Sequence, residues 1–400
     1  MPRDPGTVPR GAWRTLAACS GLAALLQIDG TLVTVALPDV GRSLHTAPQP
    51  LGWVITVYFL AFALLLLPGG RLVDRFGGRR AALAGLALFA AGALLGALAP
   101  SFTVLVASRA LQGMGAGLAS PAALSGAVSG FPPERRGTAL GIWGAASGVA
   151  NIAGPLLGGL LTTAFGWRAA WWALLPLAAA AAVAVARLVP GRVPDAGAEP
   201  AAGVLRRRAV LVAVAAAGLS FLVMIGVFFV IEQYLQESAG YSPLLAAAAP
   251  MAIAVCVGAV GPVAGRLIDA RGERPVLLGG FAVAGAGLGC YGLTNAPLHG
   301  LGALPLAVLL GLGLGPLFAG VSRAGLNAVP QRHHGRVSAL ISAGRLLGAG
   351  LGAALAGVAL RDGADAEDVR TALTSGAALC LLAGVPLAGW LRGRPEAETV

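Results

Sequence analysis

Long apolar runs alternate with short polar segments along most of the 400-residue chain. A helix needs about 20 apolar residues to cross the hydrocarbon core of a bilayer, with a range of about 17 to 25. By that length, the pattern predicts twelve membrane spans in two sets of six. They are residues 15–37, 51–70, 81–99, 103–126, 138–162 and 168–188, followed by 209–231, 243–264, 276–294, 300–326, 337–360 and 371–391.

A polar stretch separates the two sets of spans. Its sequence, VPGRVPDAGAEPAAGVLRRR, is rich in proline, glycine and charge, which is typical of a linker. The predicted fold is therefore an all-α integral membrane protein with two pseudo-symmetric six-helix bundles. The N-terminal bundle covers 1–188, the cytoplasmic linker 189–208 and the C-terminal bundle 209–400.

The composition agrees with a membrane protein. Charged residues make up 11% of the chain and hydrophobic residues 57%, whereas soluble globular chains carry roughly 25% charged residues. The net charge of +11 does not indicate nucleic-acid binding, because the basic residues are spread through short loops. Every one of them is arginine, which points to a GC-rich bacterial genome. The four cysteines lie singly inside apolar runs, so the sequence predicts no metal site.

The basic loops predict the orientation of the chain. If the N-terminus is cytoplasmic, most of the 28 arginines lie in cytoplasmic loops of the cell membrane, as the positive-inside rule requires. Both termini are then cytoplasmic. Four tryptophans fall at predicted outer span ends, where amphipathic rings prefer to lie. They are Trp53, Trp167, Trp171 and Trp172.

One charged loop occurs twice, 195 residues apart. GRLVD at 70–74 returns as GRLID at 265–269, and each copy falls between the second and third spans of its half. Two six-span halves with matching loops are typical of a transporter with a substrate site near the bilayer midplane. Glycine in such a loop permits a close approach of helices or a tight turn. An acid at this position can pair with an arginine or face a helix N-terminus. The loop residues singled out are Gly70, Asp74, Arg75, Gly77, Arg79, Gly265, Asp269 and Gly272.

Asp29 lies in the middle of the first span, roughly 22 Å along the helix from Arg14 at 1.5 Å per residue. An ionisable residue at that depth is a functional candidate. Arg109 on the fourth span lies at a compatible depth, so we expect an ion pair or a water-bridged contact. Burial disfavours a charged carboxylate and a nearby arginine favours it, so movement between two environments would let Asp29 bind and release a proton. The alternative is a static pair that only orients helices.

Taken together, these residues resemble the major facilitator superfamily over essentially the whole chain. GRLVDRFGGRR (70–80) is similar to the family's loop signature, Gly-x-Leu-x-Asp-Arg-x-Gly-x-Arg-Arg. QIDGTLVTVALPDV (27–40), RALQGMGAG (109–117) and YLQESAGYSPLLA (234–246) resemble the drug–proton antiporters of its fourteen-span branch. The 20-residue linker is too short to cross the membrane twice. The chain is therefore expected to be a twelve-span relative of that branch.

The resemblance implies roles for two groups of residues. The loop residues would latch the two halves on the cytoplasmic side while the protein is open outward, although the arginines alone could simply fix topology. A small-residue face on the fifth span is associated with antiport in the family. Small residues and a helix-bending proline also serve plain packing. These residues are Gly141, Ala150, Gly154, Pro155, Gly158 and Gly159.

Three further polar residues fall within spans and are candidates for a central cavity: Gln112, Glu232 and Arg345. Glu232, near an outer span end, either lines the outer vestibule and attracts cations or reaches back to the membrane interface. Arg345 would bind either an anionic group or a neighbouring helix end.

These features predict a proton-coupled efflux antiporter for small amphipathic organic compounds such as drugs and antibiotics. It would work by alternating access as a monomer, driven by the proton gradient and without a cofactor. The alternative is a proton-coupled uptake carrier for a small polar metabolite, which would need more polar residues in spans one, four, seven and ten. An enzyme is not expected, because the sequence has no polar catalytic cluster.

Overall fold

The computed structural model describes residues 8–132, 136–191, 207–293, 304–329, 334–360 and 365–390. The helices are α1 (Arg10–Leu44), α2 (Pro48–Phe76), α3 (Gly78–Ala97), α4 (Phe102–Val128), α5 (Arg136–Phe165), α6 (Arg168–Leu188), α7 (Arg208–Gln233), α8 (Pro243–Ala246), α9 (Ala248–Arg271), α10 (Glu273–Leu293), α11 (Leu304–Asn327), α12 (His334–Ala359), α13 (Ala366–Ala378) and α14 (Val385–Gly389). Two π-helices, Tyr234–Ser238 and Leu379–Gly384, follow α7 and α13.

Among the described residues, eleven helical stretches are long and apolar enough to cross a membrane. The remaining long helix, α4, has 27 residues, which at 1.5 Å per residue is about 40 Å and exceeds the hydrocarbon core. Each predicted span is thus helical over nearly all of its described residues, and the prediction of an all-α, twelve-span membrane protein is confirmed. Residues 294, 300–303 and 391, at the edges of three predicted spans, lie outside the described ranges.

The chain divides into two compact units. The first comprises the described residues of Met1–Asp39 and Val57–Ala198, and the second those of Val40–Thr56 and Glu199–Val400. The end of α1 and the start of α2 therefore belong to the second unit. There Thr56 Oγ1 donates a hydrogen bond to the carbonyl of Gly350 at 2.9 Å. Most of the predicted linker, residues 192–206, lies outside the described chain.

Glycines bring α4 close to its neighbours in the first unit. A Cβ on Gly92 of α3 would lie 2.7 Å from the backbone nitrogen of Gln112, and one on Gly85 would lie 2.6 Å from the carbonyl oxygen of Gly115. On the other side, a Cβ on Gly113 would meet the carbonyl oxygen of Tyr58 on α2. These approaches fix the level of α4 against α2 and α3, and so the level of its polar side chains.

In the second unit, α7 packs against α12 through glycines. A Cβ on Gly348 would meet the carbonyl oxygen of Gly218, and one on Gly352 would meet that of Leu222. Small residues let helix backbones approach in this way, and packing of this kind supplies the contact between spans in a bilayer.

Candidate functional site

An ion pair lies inside the first unit, between α1 and α4. Arg109 Nη1 is 2.7 Å from Asp29 Oδ1, and both side chains are buried. The same arginine nitrogen donates to Gln112 Oε1 at 3.0 Å. Gln112 Nε2 in turn donates to Asp29 Oδ1 at 3.3 Å. The structure thus brings together three of the polar residues that the sequence analysis singled out.

Helical spacing explains the α4 side of this group. Arg109 and Gln112 are three residues apart, so they lie on one face of the helix. Ring contacts from two other helices complete the cluster. The guanidinium carbon of Arg109 lies 4.1 Å from the centre of the Tyr58 ring on α2. Trp171 on α6 donates its indole N–H to Gln112 Oε1 at 3.2 Å.

The two carboxylate oxygens of Asp29 differ. Oδ1 accepts from both Arg109 and Gln112, whereas Oδ2 is buried and has no hydrogen-bond partner among the described residues. A buried acceptor without a donor is unfavourable. A proton placed on Oδ2 would cancel the charge of the carboxylate and leave the two hydrogen bonds to Oδ1 in place. The geometry is therefore suited to holding one exchangeable proton.

Two members of this cluster, Tyr58 and Trp171, were not predicted. Trp171 and Trp167 are buried against protein, while their predicted placement at outer span ends stays a prediction. Trp53 and Trp172 are exposed. A buried indole N–H usually finds an acceptor, and Gln112 provides one here. An amide on a predicted span signals that a donor lies nearby, but it does not say which helix supplies that donor.

The small-residue face of α5 packs on the stretch of α1 that carries Asp29. A Cβ on Gly154 would meet Thr31, and one on Gly158 would meet the carbonyl oxygen of Leu32. One turn earlier, Gln27 Nε2 donates to Asn151 Oδ1 at 3.4 Å. The other members of the predicted face, Ala150, Pro155 and Gly159, are buried. Gly141 lies on α5, outside the residues whose surroundings are described.

The two loop copies share one backbone geometry. Gly77 has φ 84° and Gly272 has φ 83°, a region that favours glycine. The N–H of Gly77 donates to Val73 at 2.9 Å, and that of Gly272 donates to Ile268 at 2.8 Å. Both glycines therefore serve a tight turn between two helices.

The remaining loop residues are less tightly held. A Cβ on Gly70 or Gly265 would meet no described atom within 4 Å, so no close approach to a described residue is present at Gly70. The guanidinium of Arg75 lies over the ring of Phe76 at 5.1 Å, and Arg79 is half-buried. The side chains of Asp74 and Asp269 lie outside what the structure describes.

Arg345 lies in the second unit and binds a neighbouring helix. Its Nη2 donates to the carbonyl of Phe318 at 2.9 Å and to Ser322 Oγ at 2.7 Å, both on α11. Its guanidinium also lies near the rings of Phe221 and Phe318, at 5.6 and 5.4 Å. The sequence left open an anionic group or a neighbouring helix end, and the contact in the structure is with the interior of a neighbouring helix.

Glu232 is fully buried at the end of α7 and does not reach the interface. Its Oε2 accepts from Gln236 Nε2 at 3.1 Å. Its Oε1 has no hydrogen-bond partner in the described part of the chain.

Comparison with known proteins gives a consistent set of similarities. The sequence profile of the Major Facilitator Superfamily matches residues 19–353 and 258–400. The puromycin resistance protein of Streptomyces alboniger is 31% identical, covering 88% of this chain and 82% of its own. The tetracenomycin C resistance and export protein of Streptomyces glaucescens is 30% identical, covering 86% and 75%. A multidrug resistance protein of Mycobacterium tuberculosis is 28% identical, covering 84% and 73%.

One solved structure has a similar fold. It is a bacterial homologue of the human lysosomal transporter Spinster in an inward-facing, unoccupied conformation. The TM-score is 0.76, and the match covers 96% of this chain and 97% of that one. At 17% identity, this likeness concerns the fold alone.

Proposed function

Because the chain belongs to the major facilitator superfamily, we propose that it is a proton-coupled efflux antiporter that exports small amphipathic organic compounds by alternating access. The family consists of membrane transporters rather than enzymes, and the chain is a multi-pass membrane protein. Three relatives are named for resistance to, or export of, puromycin, tetracenomycin C or multiple drugs. Those names support drug export over uptake.

The observation that carries the proton-coupling proposal is the asymmetry of Asp29. One oxygen is held by Arg109 and Gln112, and the other is buried without a described partner. Loss of the proton leaves a carboxylate that Arg109 neutralises. Gain of the proton leaves a neutral acid that is tolerated in an apolar span. Either state can exist in the membrane, which a proton carrier requires.

Arg109 has other partners when Asp29 is protonated. Gln112 Oε1 at 3.0 Å and the Tyr58 ring at 4.1 Å remain available to the guanidinium. The arginine is therefore not left without compensation, which would be strongly unfavourable for a buried charge. Its attraction to Asp29 weakens on protonation, so α1 and α4 are free to shift relative to each other.

The packing of α5 on α1 provides a route from the proton to helix movement. Residues of α1 on both sides of Asp29, from Gln27 to Leu32, contact the small-residue face of α5. A shift of α1 would change these contacts between α1 and α5 directly. In the proposed mechanism, the close α1–α5 contact also prevents protons from leaking past the site during exchange.

The remaining parts of the proposal concern topology. We place both termini in the cytoplasm, with bundles over 1–188 and 209–400 joined by a cytoplasmic linker, and we propose a monomer. Gly77 and Gly272 would then turn the chain on the cytoplasmic side, with Asp74 and Asp269 forming the latch.

The test is export by the purified full-length protein in vesicles with an imposed pH gradient. Wild type should expel puromycin or a lipophilic dye when the gradient is present and stop when a protonophore removes it. Asp29→Asn keeps an oxygen for Arg109 but cannot carry a proton, so it should lose gradient-driven export. Asp39→Asn is the matched control. Asp39 also lies on α1, but its Oδ2 accepts from the backbone N–H of Trp167 at 3.0 Å.

Normal export by the Asp29→Asn variant would refute the proton role of Asp29. Export that ignores the pH gradient would refute antiport altogether. Gradient-driven accumulation in the opposite direction would favour the uptake carrier.

A further inference from the structure

Glu232 differs from Asp29 in having no cation beside it. Both carboxylates are buried, but Asp29 is paired with Arg109. Among the residues that the structure describes, no arginine or histidine contacts Glu232. Its single contact is a hydrogen bond from Gln236, and Oε1 has no partner. The second unit therefore holds an uncompensated negative charge inside the membrane whenever Glu232 is ionised.

The residue beside Glu232 is also unsatisfied. Gln233 is fully buried, and neither its amide oxygen nor its amide nitrogen has a hydrogen-bond partner in the described chain. Buried polar groups in native proteins are normally hydrogen-bonded, so an orphaned group calls for an unseen partner. Glu232 and Gln233 each leave an acceptor open, and the carboxylate of Glu232 in addition suits a ligand that carries positive charge.

The local backbone and the neighbouring side chains agree with a binding position. The π-helix Tyr234–Ser238 begins two residues after Glu232, and such segments within α-helices are frequent at functional sites. Phe228 and Phe229 lie one turn earlier, at the four- and three-residue spacings that share a helix face with Glu232. Both are buried. An acid next to aromatic rings is complementary to an amine on an apolar body.

We propose that Glu232 binds the protonated amine of the exported compound, so that the protein prefers lipophilic amines. Phe228 and Phe229 contact the apolar part of the compound. Asp29 does not take this role, because Arg109 already neutralises it. Access to Glu232 requires the opening that alternating access provides, so this inference rests on the proposed function. It assigns the class of substrate, whereas the proton remains on Asp29.

Equilibrium binding to the purified full-length protein tests the assignment without a pH gradient. The probes are puromycin and N-acetylpuromycin, which differ at one amine, at a pH of about 7, where most of an amine of this type is still protonated. Wild type should bind puromycin at least about tenfold more tightly, which corresponds to about 1.4 kcal/mol. In Glu232→Gln this ratio should fall to about one. Glu237→Gln, an exposed acid five residues on, is the matched control and should keep the wild-type ratio.

A second measurement needs no variant and covers the case in which Glu232→Gln does not fold. Dicyclohexylcarbodiimide, an apolar carboxyl reagent, should label Glu232, as detected by peptide mass spectrometry. Puromycin should slow this labelling and N-acetylpuromycin should not. Equal wild-type affinity for the two compounds, no binding of puromycin, an unchanged ratio in Glu232→Gln, or equal protection would each overturn the proposal. None of these results would affect gradient-driven export through Asp29, so the two proposals fail separately.

Discussion

The indole nitrogen of Trp171 lies 3.2 Å from Gln112 Oε1, the oxygen that also accepts from Arg109 at 3.0 Å. With its oxygen held by two donors, the Gln112 amide presents its nitrogen to Asp29. Trp171 therefore orients the Gln112 amide, and that amide in turn holds the carboxylate of Asp29. The effect of Trp171 on Asp29 is indirect. The orientation of the acid depends on a helix, α6, that carries no charge at the site.

Removal of that indole N–H should weaken the site. Trp171→Phe keeps an aromatic ring but removes the donor, which should lower the free energy of unfolding by about 1 kcal/mol and slow gradient-driven export. Trp172→Phe is the control, because Trp172 is exposed and should change neither quantity. Thermal unfolding of the purified protein and the vesicle assay measure the two effects. Equal behaviour of the two variants would show that the Trp171–Gln112 hydrogen bond is dispensable.

The glycine contact between α7 and α12 should tolerate no side chain. In Gly348→Ala the new methyl group would meet the carbonyl oxygen of Gly218, and overpacking of this kind costs about 1 to 3 kcal/mol. We expect a lower unfolding temperature and a lower yield of folded protein. Gly279→Ala should be neutral, since a Cβ there meets no described atom within 4 Å. If the unfolding temperature of Gly348→Ala equals that of wild type, α7 and α12 can move apart without a loss of stability, and the prediction is wrong.

The two turn glycines should respond alike to substitution. Gly77 has ψ 151° and Gly272 has ψ 171°, which together with their positive φ define a backbone region almost restricted to glycine. Alanine at either position should cost about 1 to 3 kcal/mol in the free energy of unfolding. Gly258→Ala, in the interior of α9 with no described atom near the new methyl group, is the comparison. The prediction fails if only one of the two turn variants is destabilised.

Much of the fold follows from a length rule applied to apolar runs, because a bilayer imposes a nearly fixed span. The helices still extend past the predicted ends. The first span was predicted as 15–37, and α1 covers Arg10–Leu44. An apolar run marks only the hydrocarbon core, whereas the helix continues into the polar boundary. Helix ends outside the membrane are therefore not readable from hydrophobicity.

The site was only partly readable from the sequence. Two charges inside spans at similar depth are each unfavourable alone, so a contact between Asp29 and Arg109 could be expected. The positions of Tyr58 and Trp171 could not, since the preference of aromatic rings for interfaces does not say which side of a helix faces protein. Trp171 points inward and Trp172 outward although they are adjacent. Packing between helices decides which of the two rings faces the protein, and the sequence of a single helix does not show that packing.

The two turns at Gly77 and Gly272 occupy equivalent positions in the two halves of the chain. α2 ends at Phe76 and α3 begins at Gly78, while α9 ends at Arg271 and α10 begins at Glu273, the same register 195 residues later. Side chains around the turn have diverged, with glycine in one copy and glutamate in the other at the start of the next helix. The backbone path at this turn is therefore the same in both halves while the side chains around it differ. A corner built on a glycine conformation leaves the neighbouring positions free to carry different chemistry in each half.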